Sequence, residues 1–499
     1  MMRPVSLLIS LCLTLPMLGQ VDSVALRYAN TITTTDLERH LRILASDAYQ
    51  GRDTGKEGQK MAATYLRDRF VEMGVPPIEG RSGVVDGYFQ PFTLIEERSG
   101  SLSVVTAVDT LRWMEQLLYF RENIGADLAV DRIHCTGRSG DISAARDLRN
   151  SAVLVPLSSD AADLFSSVRI HAERATKAGA RILVLAQPGL TAFLATGELN
   201  MPHGRLRQAE TTPKPRTGLQ VLVVDDARIQ DLIPGTSWAR IKRSRRPCAI
   251  PASFTVKHES RLGEVHTENV LAYIEGTDLR DELVVITAHY DHVGVEKGQV
   301  YNGADDDGSG TVALLEMAEA FMQARINGHG TRRSVLIMPV SAEEKGLLGS
   351  EYYSEHPVFP LAGTIADLNI DMIGRTDSAH AGKDPYIYVI GSDRLSTALH
   401  ALNEQANRTY AGLDLDYTFN APDDPNRFYY RSDHYNFARK GIPSIFYFSG
   451  VHADYHQPTD DVEKIEFDRL KQRALLVFHT AWMLANAPAR PAVDVEQRP

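Results

Sequence analysis

The chain has 499 residues, enough for about three domains at roughly 100–200 residues each. Hydrophobic residues make up 43% of the chain and charged residues 23%, which excludes collagen-like, low-complexity and multi-span membrane proteins. Asp and Glu outnumber Lys and Arg by 64 to 53, so the net charge is −11 and nucleic acid is not an expected partner. With 16 His and only 3 Cys, any metal site would rely on histidine and carboxylate ligands.

The first 20 residues have the pattern of a signal peptide. One Arg precedes an apolar run from Val5 to Leu18, and Gly19 follows it. The run is too short for a transmembrane helix, so we expect export to the periplasm or the extracellular space and no integral membrane protein. Cys135 and Cys248 would then lie in an oxidising compartment. The sequence leaves open whether they form a disulfide.

Residues 21–98 begin with helical periodicity. Apolar residues recur at helical spacing over Thr35–Gly74, with a Gly-rich break from Tyr49 to Gly58. Residues 99–251 differ in texture and carry no metal-ligand spacing or nucleophile motif. Their strand-like runs are 151–157, 180–186 and 218–225, with a helical stretch at 172–178. We therefore predict a smaller α/β or β-rich domain inserted at 99–251.

From residue 252 onward, short apolar strands alternate with helices. The predicted strands are 282–289, 334–341, 364–371, 386–391 and 444–449, and the main helices are 310–323 and 467–484. This order predicts an α/β fold with a central mixed, mostly parallel sheet flanked by helices. Residues 21–98 and 252–487 would form one split catalytic domain, and the Pro-rich residues 488–499 a disordered tail.

Five polar motifs follow these strands or precede a helix. They are AHYDH (288–292), NGADDDGSG (302–310), VSAEEKGLLGS (340–350), LNIDMIGR (368–375) and DYHQPTDD (454–461). Ligands of open α/β sheets bind in the crevice at the carboxyl ends of the strands. The sequence therefore predicts that histidines and carboxylates meet at one edge of the sheet.

Three of these motifs suggest metal chemistry, although some of their residues also have a simpler structural interpretation. Asp291 can accept a hydrogen bond from the second ring nitrogen of His289 and so orient it as a ligand, although an isolated H-x-D is a weak signal. The acids Asp305–Asp307 could simply cap a helix, and because they are consecutive they do not form a calcium loop. Glu343 and Glu344 would repel each other unless a cation lay nearby. One could bind a metal while the other took a proton from water.

Together, the five motifs resemble those of the co-catalytic di-zinc aminopeptidase family. That family also contains glutamate carboxypeptidases, glutaminyl cyclases and the non-enzymatic transferrin receptor. The resemblance covers most of Thr35–Phe92 and Glu268–Ala485, including the segment GRDTGKEG. The middle region is similar to the protease-associated domain that many members carry as an insertion.

The resemblance implies two Zn²⁺ per chain and a role for each motif. His289 and Asp371 would bind one zinc, Glu344 and His456 the other, and Asp306 would bridge both. Glu343 would be the general base, Asp291 the acceptor behind His289, and Tyr455 the group that polarises the substrate carbonyl, with Tyr447 as a competitor. The implied protein is a secreted exopeptidase, an aminopeptidase that hydrolyses the N-terminal bond of peptides or proteins through a metal-bridging water.

Several alternatives stay open. They are a carboxypeptidase or dipeptidase of the same family, a glutaminyl cyclase with a single zinc, and an inactive binding protein on the same fold. A serine hydrolase is disfavoured because no G-x-S-x-G is present, and the adjacent Ser432, Asp433 and His434 cannot form a triad. H-E-x-x-H is also absent.

Overall fold

The computed structural model of the chain describes residues 21–99, 102–120, 127–142, 148–149, 151–157, 164–196, 199, 204–209, 218–257 and 260–496. The predicted signal peptide, residues 1–20, lies outside the described residues. The chain divides into two compact units. The split unit comprises the chain up to Thr93 and from Val265 onward, and the inserted unit comprises Leu94–Glu264.

Helices and strands are numbered in chain order across both units. The helices are α1 Ser23–Ala29, α2 Thr34–Leu44, α3 Glu57–Glu72, α4 Leu164–Lys177, α5 Leu190–Ala195, α6 Ile229–Leu232, α7 Trp238–Ile241, α8 Gly310–Ile326, α9 Leu348–Glu355, α10 Thr397–Ala406, α11 His434–Ala438 and α12 Phe467–Asn486. The strands are β1 Phe89–Ser99, β2 Ser103–Thr106, β3 Thr110–Arg112, β4 Leu117–Phe120, β5 Leu128–Cys135, β6 Ala152–Pro156, β7 Ile182–Gln187, β8 Gly204–Gln208, β9 Gln220–Asp225, β10 Cys248–Lys257, β11 Ser260–Val270, β12 Ala272–Ile274, β13 Leu279–His289, β14 Gly294–Glu296, β15 Gln299–Tyr301, β16 Arg333–Val340, β17 Thr364–Ile370, β18 Tyr386–Ile390, β19 Asp414–Asp416 and β20 Ser444–Phe448.

A seven-stranded sheet forms the centre of the split unit. Its strand order is β12-β16-β13-β17-β20-β18-β19. The four strands β16, β13, β17 and β20 run parallel to one another, whereas β12 and β18 pair antiparallel with their neighbours β16 and β20. The predicted α/β class with a mixed, mostly parallel sheet is confirmed.

The parallel strands form because their side chains are apolar on both faces. Val284 and Ile286 of β13 belong to one buried cluster with residues of α8 and α12. Leu283 and Val285 of the same strand belong to a second cluster on the other face, which includes Tyr353 of α9. Successive strand residues point to opposite faces, so helices cover both faces of this sheet.

The N-terminal helices α2 and α3 of the split unit lie on either side of the predicted Gly-rich break. Thr33 caps α2, and its side chain accepts a hydrogen bond from the backbone N–H of Asp36. The Gly-rich segment after α2 forms a short helical turn over Asp47–Arg52 and an irregular loop before α3 begins at Glu57. This segment brings Arg52 to the interior, where its side chain is fully buried.

The inserted unit is an α/β unit of its own. Its eight-stranded sheet has the order β3-β2-β10-β5-β6-β7-β9-β4, and the strands β5, β6, β7 and β9 are parallel. The predicted strands at 151–157, 180–186 and 218–225 correspond to β6, β7 and β9. The predicted helix at 172–178 is the end of the longer α4.

The last described residues form hydrogen bonds with earlier parts of the split unit. Arg490 donates a hydrogen bond to the carbonyl oxygen of Ala362, and Asp494 accepts one of 2.8 Å from the backbone N–H of Thr397. These contacts fall in the segment predicted as a disordered tail, which the structure describes up to residue 496. Among the described residues, no helix combines the length and the apolar character needed to cross a membrane.

Candidate metal centre

The carboxyl ends of four parallel strands carry most of the predicted site residues. His289 is the last residue of β13, Asp371 directly follows β17, and Glu343 and Glu344 follow β16. His456 lies in the loop after β20. Because these strands are parallel neighbours, their carboxyl ends lie at one edge of the sheet, which brings the side chains together.

One group of potential ligands surrounds the end of β13. His289 Nε2 lies 3.2 Å from Asp306 Oδ1 and 3.6 Å from Asp371 Oδ1. All three residues are buried, and their ligand atoms lie within 4.8 Å of one another. Asp306 is held by the turn Ala304–Ser309 at the start of α8, so residues distant in the sequence converge here.

A second group shares Asp306 with the first. His456 Nε2 lies 3.0 Å from Asp306 Oδ2 and 3.1 Å from Glu344 Oε1. Asp306 therefore presents Oδ1 to the first group and Oδ2 to the second, the arrangement expected of a bridging carboxylate. His292 also enters this group, with Nδ1 2.9 Å from Glu344 Oε1. The sequence reasoning missed His292, although it is the last residue of the AHYDH motif.

The charges of the two groups show in their pKa values. Burial by itself raises the pKa of Asp306, but the nearby His289 and His456 more than offset this and hold it well below its usual range. Burial also opposes ionisation of Glu344, whose pKa is nevertheless lowered to about 2 by His292 and His456. Despite burial, contacts with Asp306 and Glu344 raise the pKa of His456 to about 10. Positive charge is therefore favoured between these carboxylates.

Glu343 lies beside both groups without belonging to either. Its Oε2 is 3.9 Å from His289 Nε2, and its backbone N–H donates a hydrogen bond of 3.1 Å to Asp291 Oδ1. Burial, with the charges of Glu344 and Asp371 added to it, raises the pKa of Glu343 well above its usual value. A largely buried carboxyl group with a raised pKa next to a ligand cluster is suited to proton transfer.

The structure corrects the predicted contact of Asp291 with His289. His289 Nδ1 lies 3.0 Å from the backbone carbonyl oxygen of Asp291, whereas the Asp291 carboxylate is 4.0 Å away. A carbonyl only accepts, so Nδ1 carries the proton and the Nε2 lone pair faces the ligand group. The Asp291 carboxylate instead accepts from the backbone of Glu343 and from Thr54 Oγ1, the latter at 2.7 Å.

The two tyrosines considered for carbonyl polarisation lie in different places. Tyr455 lines a cavity together with Glu343 and Asp371. Burial raises the pKa of Tyr455 far above its usual value, so its hydroxyl remains a donor. Tyr447 is fully buried and donates a hydrogen bond of 2.7 Å to Asn403 Oδ1, outside that cavity. Tyr447 is therefore not a competitor for this role.

The segment GRDTGKEG acts through Arg52. The Arg52 guanidinium donates hydrogen bonds to the carbonyl oxygens of Leu44, Tyr290, Asn302 and Gly303, at distances between 2.7 and 2.9 Å. These bonds connect the loop after β13 to the loop that leads to Asp306. Arg52 thereby positions two ligand-bearing loops from one buried side chain.

Two further interactions orient the ligand carboxylates. Asp460 Oδ2 accepts hydrogen bonds from the backbone N–H groups of Asp305 and Asp306, at 3.0 and 3.2 Å. Ser432 Oγ donates a hydrogen bond of 2.7 Å to Asp371 Oδ2. The motif RSDHYNF therefore supplies a hydrogen bond to a candidate ligand and no catalytic triad.

The donor set fits a divalent cation, and zinc in particular. Asp306 Oδ2, Glu344 Oε1 and His292 Nδ1 are buried and have no hydrogen-bond partner. Such unsatisfied groups cost about 1–3 kcal/mol each, which a bound cation would remove. Imidazole and carboxylate groups are typical zinc ligands, and they bind the metal at zinc–ligand distances of about 2.0–2.2 Å.

Comparisons with known proteins agree with this geometry. Residues 269–481 match the model of Peptidase family M28. A 228-residue segment is 31% identical to Leucine aminopeptidase 1 of Penicillium rubens, covering 44% of this chain and 57% of that protein. A 223-residue segment is 29% identical to Aminopeptidase YwaD of Bacillus subtilis, covering 43% and 44%. The matched segment thus spans about half the length of these relatives.

Solved structures share the fold. An aminopeptidase from Aneurinibacillus sp. strain AM-1 superposes with a TM-score of 0.56 at 19% identity, over 95% of this chain and all of the other. The zinc aminopeptidase BSAP from Bacillus subtilis superposes with a TM-score of 0.53 at 19% identity, over 93% and 98%. These structures show the shared fold, and the match to the model of Peptidase family M28 covers residues 269–481.

Proposed function

We propose that this protein is a zinc-dependent aminopeptidase with two Zn²⁺ ions per chain. The observation that carries the proposal is the pair of ligand groups that share Asp306, with Glu343 beside them. Relatives of the matched segment are named leucine aminopeptidase and zinc metalloprotease, which supports the same activity. Export is part of the proposal, and the apolar run Val5–Leu18 supports it.

The residues divide the chemical work. Zinc ions held by the two groups would act as Lewis acids and make a bound water easier to deprotonate. Glu343 takes a proton from the attacking water and returns it to the amine that leaves. Tyr455 donates a hydrogen bond to the oxygen on which negative charge develops. Asp291 holds the backbone of Glu343, so the base is fixed relative to His289.

The cavity beside Glu343 favours an apolar substrate side chain. Its lining includes five apolar residues, which are Met372, Phe428, Phe446, Phe448 and Val451. Burying a large aliphatic or aromatic side chain against such a surface contributes about 1.5–3 kcal/mol. We therefore propose peptides with an apolar N-terminal residue as the preferred substrates.

A second candidate function is carboxypeptidase or dipeptidase activity. Arg431 also lines the cavity, with a guanidinium nitrogen 3.4 Å from the Tyr455 hydroxyl oxygen. A guanidinium binds carboxylates well, so this side chain could hold the C-terminus of a substrate.

A peptide panel separates these possibilities. Leucine p-nitroanilide, its N-acetylated form, and dipeptides with free or amidated C-termini are assayed with and without a chelator, and zinc content is measured in parallel. An aminopeptidase cleaves the substrates with a free N-terminus, ignores amidation and loses activity with the chelator until zinc is restored. Dependence on a free C-terminus would favour the second candidate. Hydrolysis that survives metal removal would contradict both, and one zinc per chain would contradict the two-metal centre.

A further inference from the structure

We propose that His292 is a further protein ligand of the metal position formed by Asp306, Glu344 and His456. This inference rests on the proposed two-zinc centre and adds a third imidazole to it. His289 would bind the first zinc, at the position that it forms with Asp306 and Asp371. His292 and His456 would both bind the second zinc, at the position that they form with Asp306 and Glu344.

The His292 ring is held in place from two sides. Its backbone N–H donates a hydrogen bond of 3.2 Å to the carbonyl oxygen of Arg52. A Cβ atom on Gly303 would lie 2.5 Å from the ring, so only glycine leaves room for it. The His292 side chain is fully buried. Arg52 and the loop that leads to Asp306 thus fix the position of this ring.

The distances around His292 are those of atoms that share one cation. Its Nδ1 lies 2.9 Å from Glu344 Oε1 and 3.8 Å from Asp306 Oδ2. His456 Nε2 lies 3.0 and 3.1 Å from the same two oxygens. Ligand atoms on a tetrahedral zinc at about 2.0–2.1 Å are about 3.3–3.4 Å apart. The two separations of His292 fall on either side of that value, and both separations of His456 lie below it.

The hydrogen bonding of His292 points to the same role. Neither of its ring nitrogens has a hydrogen-bond partner, although Nδ1 is within reach of a carboxylate oxygen. Glu344 Oε1 and Asp306 Oδ2 also have none. Buried polar atoms that lie close together but do not bond to each other are expected where all of them face a common cation. An outer hydrogen bond to Glu344 would instead require an aligned N–H.

The first test counts imidazoles in the wild-type protein loaded with zinc. X-ray absorption at the zinc edge is expected to show a total of three imidazole ligands for the two zincs of each chain. Two imidazoles for two zincs would overturn the inference and leave the proposed function intact. Wild-type protein that holds a single zinc would overturn the proposed function and the role of His292 with it.

The second test compares variants by zinc affinity. His292→Asn is expected to weaken the second zinc by more than about 100-fold in chelator competition, because the loss of a group outside the ligand shell typically costs 10–100-fold. His479→Gln is the matched control, because His479 is also a buried histidine and stacks on Tyr410. The His479→Gln variant should bind both zincs as the wild type does. His292→Asn that binds both zincs as tightly as wild type would overturn the inference. Circular dichroism checks that both variants are folded.

A separate observation concerns the two cysteines of the inserted unit. From it we infer that Cys135 and Cys248 form a disulfide when a small-molecule disulfide such as oxidised glutathione is present. Cys135 ends β5 and Cys248 begins β10, and the two residues lie directly opposite each other in the antiparallel pair. Opposed residues have Cα atoms about 4.5–5.5 Å apart, within the range of about 4.4–6.8 Å that disulfides require. Both thiols are free in the structure.

The order of the steps follows from burial. Cys135 is buried, whereas Cys248 is partly exposed. Burial, together with the neighbouring Cys248, raises the pKa of the Cys135 thiol to about 12. The Cys248 thiolate therefore attacks a disulfide such as oxidised glutathione, forming a mixed disulfide and releasing one thiolate. Cys135 then loses its proton and attacks the Cys248 sulfur, which releases the second thiolate. Two protein thiols are oxidised and one external disulfide is reduced.

Peptide mapping tests this pair. The full chain is incubated with oxidised glutathione, alkylated and digested without reduction. A cross-linked peptide that contains Cys135 and Cys248 is expected, together with a higher midpoint of thermal unfolding that the reductant abolishes. Cys248→Ser should show neither effect. Recovery of both cysteines as alkylated thiols after oxidation of the folded wild type would overturn the inference.

Discussion

Ser432 Oγ donates a hydrogen bond of 2.7 Å to Asp371 Oδ2, while Oδ1 of the same carboxylate faces His289 Nε2. Asn369 Nδ2 in turn donates to Ser432 Oγ at 2.8 Å, and Thr287 Oγ1 donates to Asn369 Oδ1 at 2.7 Å. A chain of buried hydrogen bonds from β13 and β17 therefore fixes which oxygen of Asp371 is presented to the ligand group.

Ser432→Ala is expected to weaken metal binding at the position of His289 and Asp371 by about 10–100-fold, because the carboxylate loses the group that orients it. Chelator competition with zinc measures this effect. The matched control is Ser354→Ala on α9, where the hydroxyl donates to the carbonyl oxygen of Glu351. Equal zinc affinity in Ser432→Ala and wild type would show that the hydrogen bond does not orient the ligand.

Glu343→Gln is expected to lower kcat by about 10²–10⁴-fold while zinc content stays unchanged. The amide cannot accept the proton from water, but Glu343 belongs to neither ligand group. Steady-state kinetics with an aminoacyl substrate and zinc analysis of the same sample check both parts. Glu355→Gln, an exposed position at the end of α9, should retain wild-type kinetics. Undiminished turnover in Glu343→Gln would refute the assigned base.

Arg52→Lys is expected to destabilise the split unit despite keeping the charge. The planar guanidinium of Arg52 donates hydrogen bonds to four carbonyl oxygens. The ammonium group of a lysine at this position cannot reach all four. Each carbonyl left without a donor costs about 1–3 kcal/mol. Urea denaturation measures the loss, and Arg42→Lys on the exposed side of α2 is the control. Equal midpoints for Arg52→Lys and wild type would contradict this role.

Glu316 on α8 should make stability depend on pH. It is buried, and burial raises its pKa from 4.5 to about 8. The folded state then keeps a proton that the unfolded chain releases. The stabilising contribution is complete below pH 4.5 and is lost as the pH rises through about 8. The slope reaches about 1.4 kcal/mol per pH unit between these limits.

His40 acts in the opposite direction at lower pH. Its Nε2 is 3.7 Å from Glu316 Oε1, and burial, aided by Arg39, lowers its pKa from 6.5 to about 4. Its contribution is complete above pH 6.5 and is lost as the pH falls through about 4. The effect of Glu316 is therefore seen most clearly between pH 6.5 and 8.

Urea denaturation at several pH values in that window tests Glu316. The free energy of unfolding of the wild type should fall as the pH rises, and Glu316→Gln should remove most of the slope because an amide does not titrate. Glu319→Gln, a partly exposed position on the same helix, should keep the wild-type slope. Parallel slopes for wild type and Glu316→Gln would show that Glu316 is not the group responsible.

The sequence was sufficient to predict the sheet and the edge of the sheet at which the site would lie. Strands such as 334–341 are continuous apolar runs, as expected in a sheet covered on both faces, and β16 occupies Arg333–Val340. A His or carboxylate at the end of each run then predicts a ligand cluster, because parallel strands end at the same edge. The pairing of His289 with Asp371 and of Glu344 with His456 came from the family resemblance, and the structure brings both pairs together.

The contacts behind the ligands required the tertiary structure. His292 was missed because its nearest carboxylate, on Glu344, is 52 positions away in the chain, and no local pattern reports that distance. For the same reason the role of Arg52 was hidden in a Gly-rich loop, and Tyr447 could not be separated from Tyr455. Local sequence determined where polar residues end buried strands, since apolar periodicity is a property of neighbouring residues. Only the packed structure decided which atom faces which, because side-chain contacts form between segments that the chain itself keeps far apart.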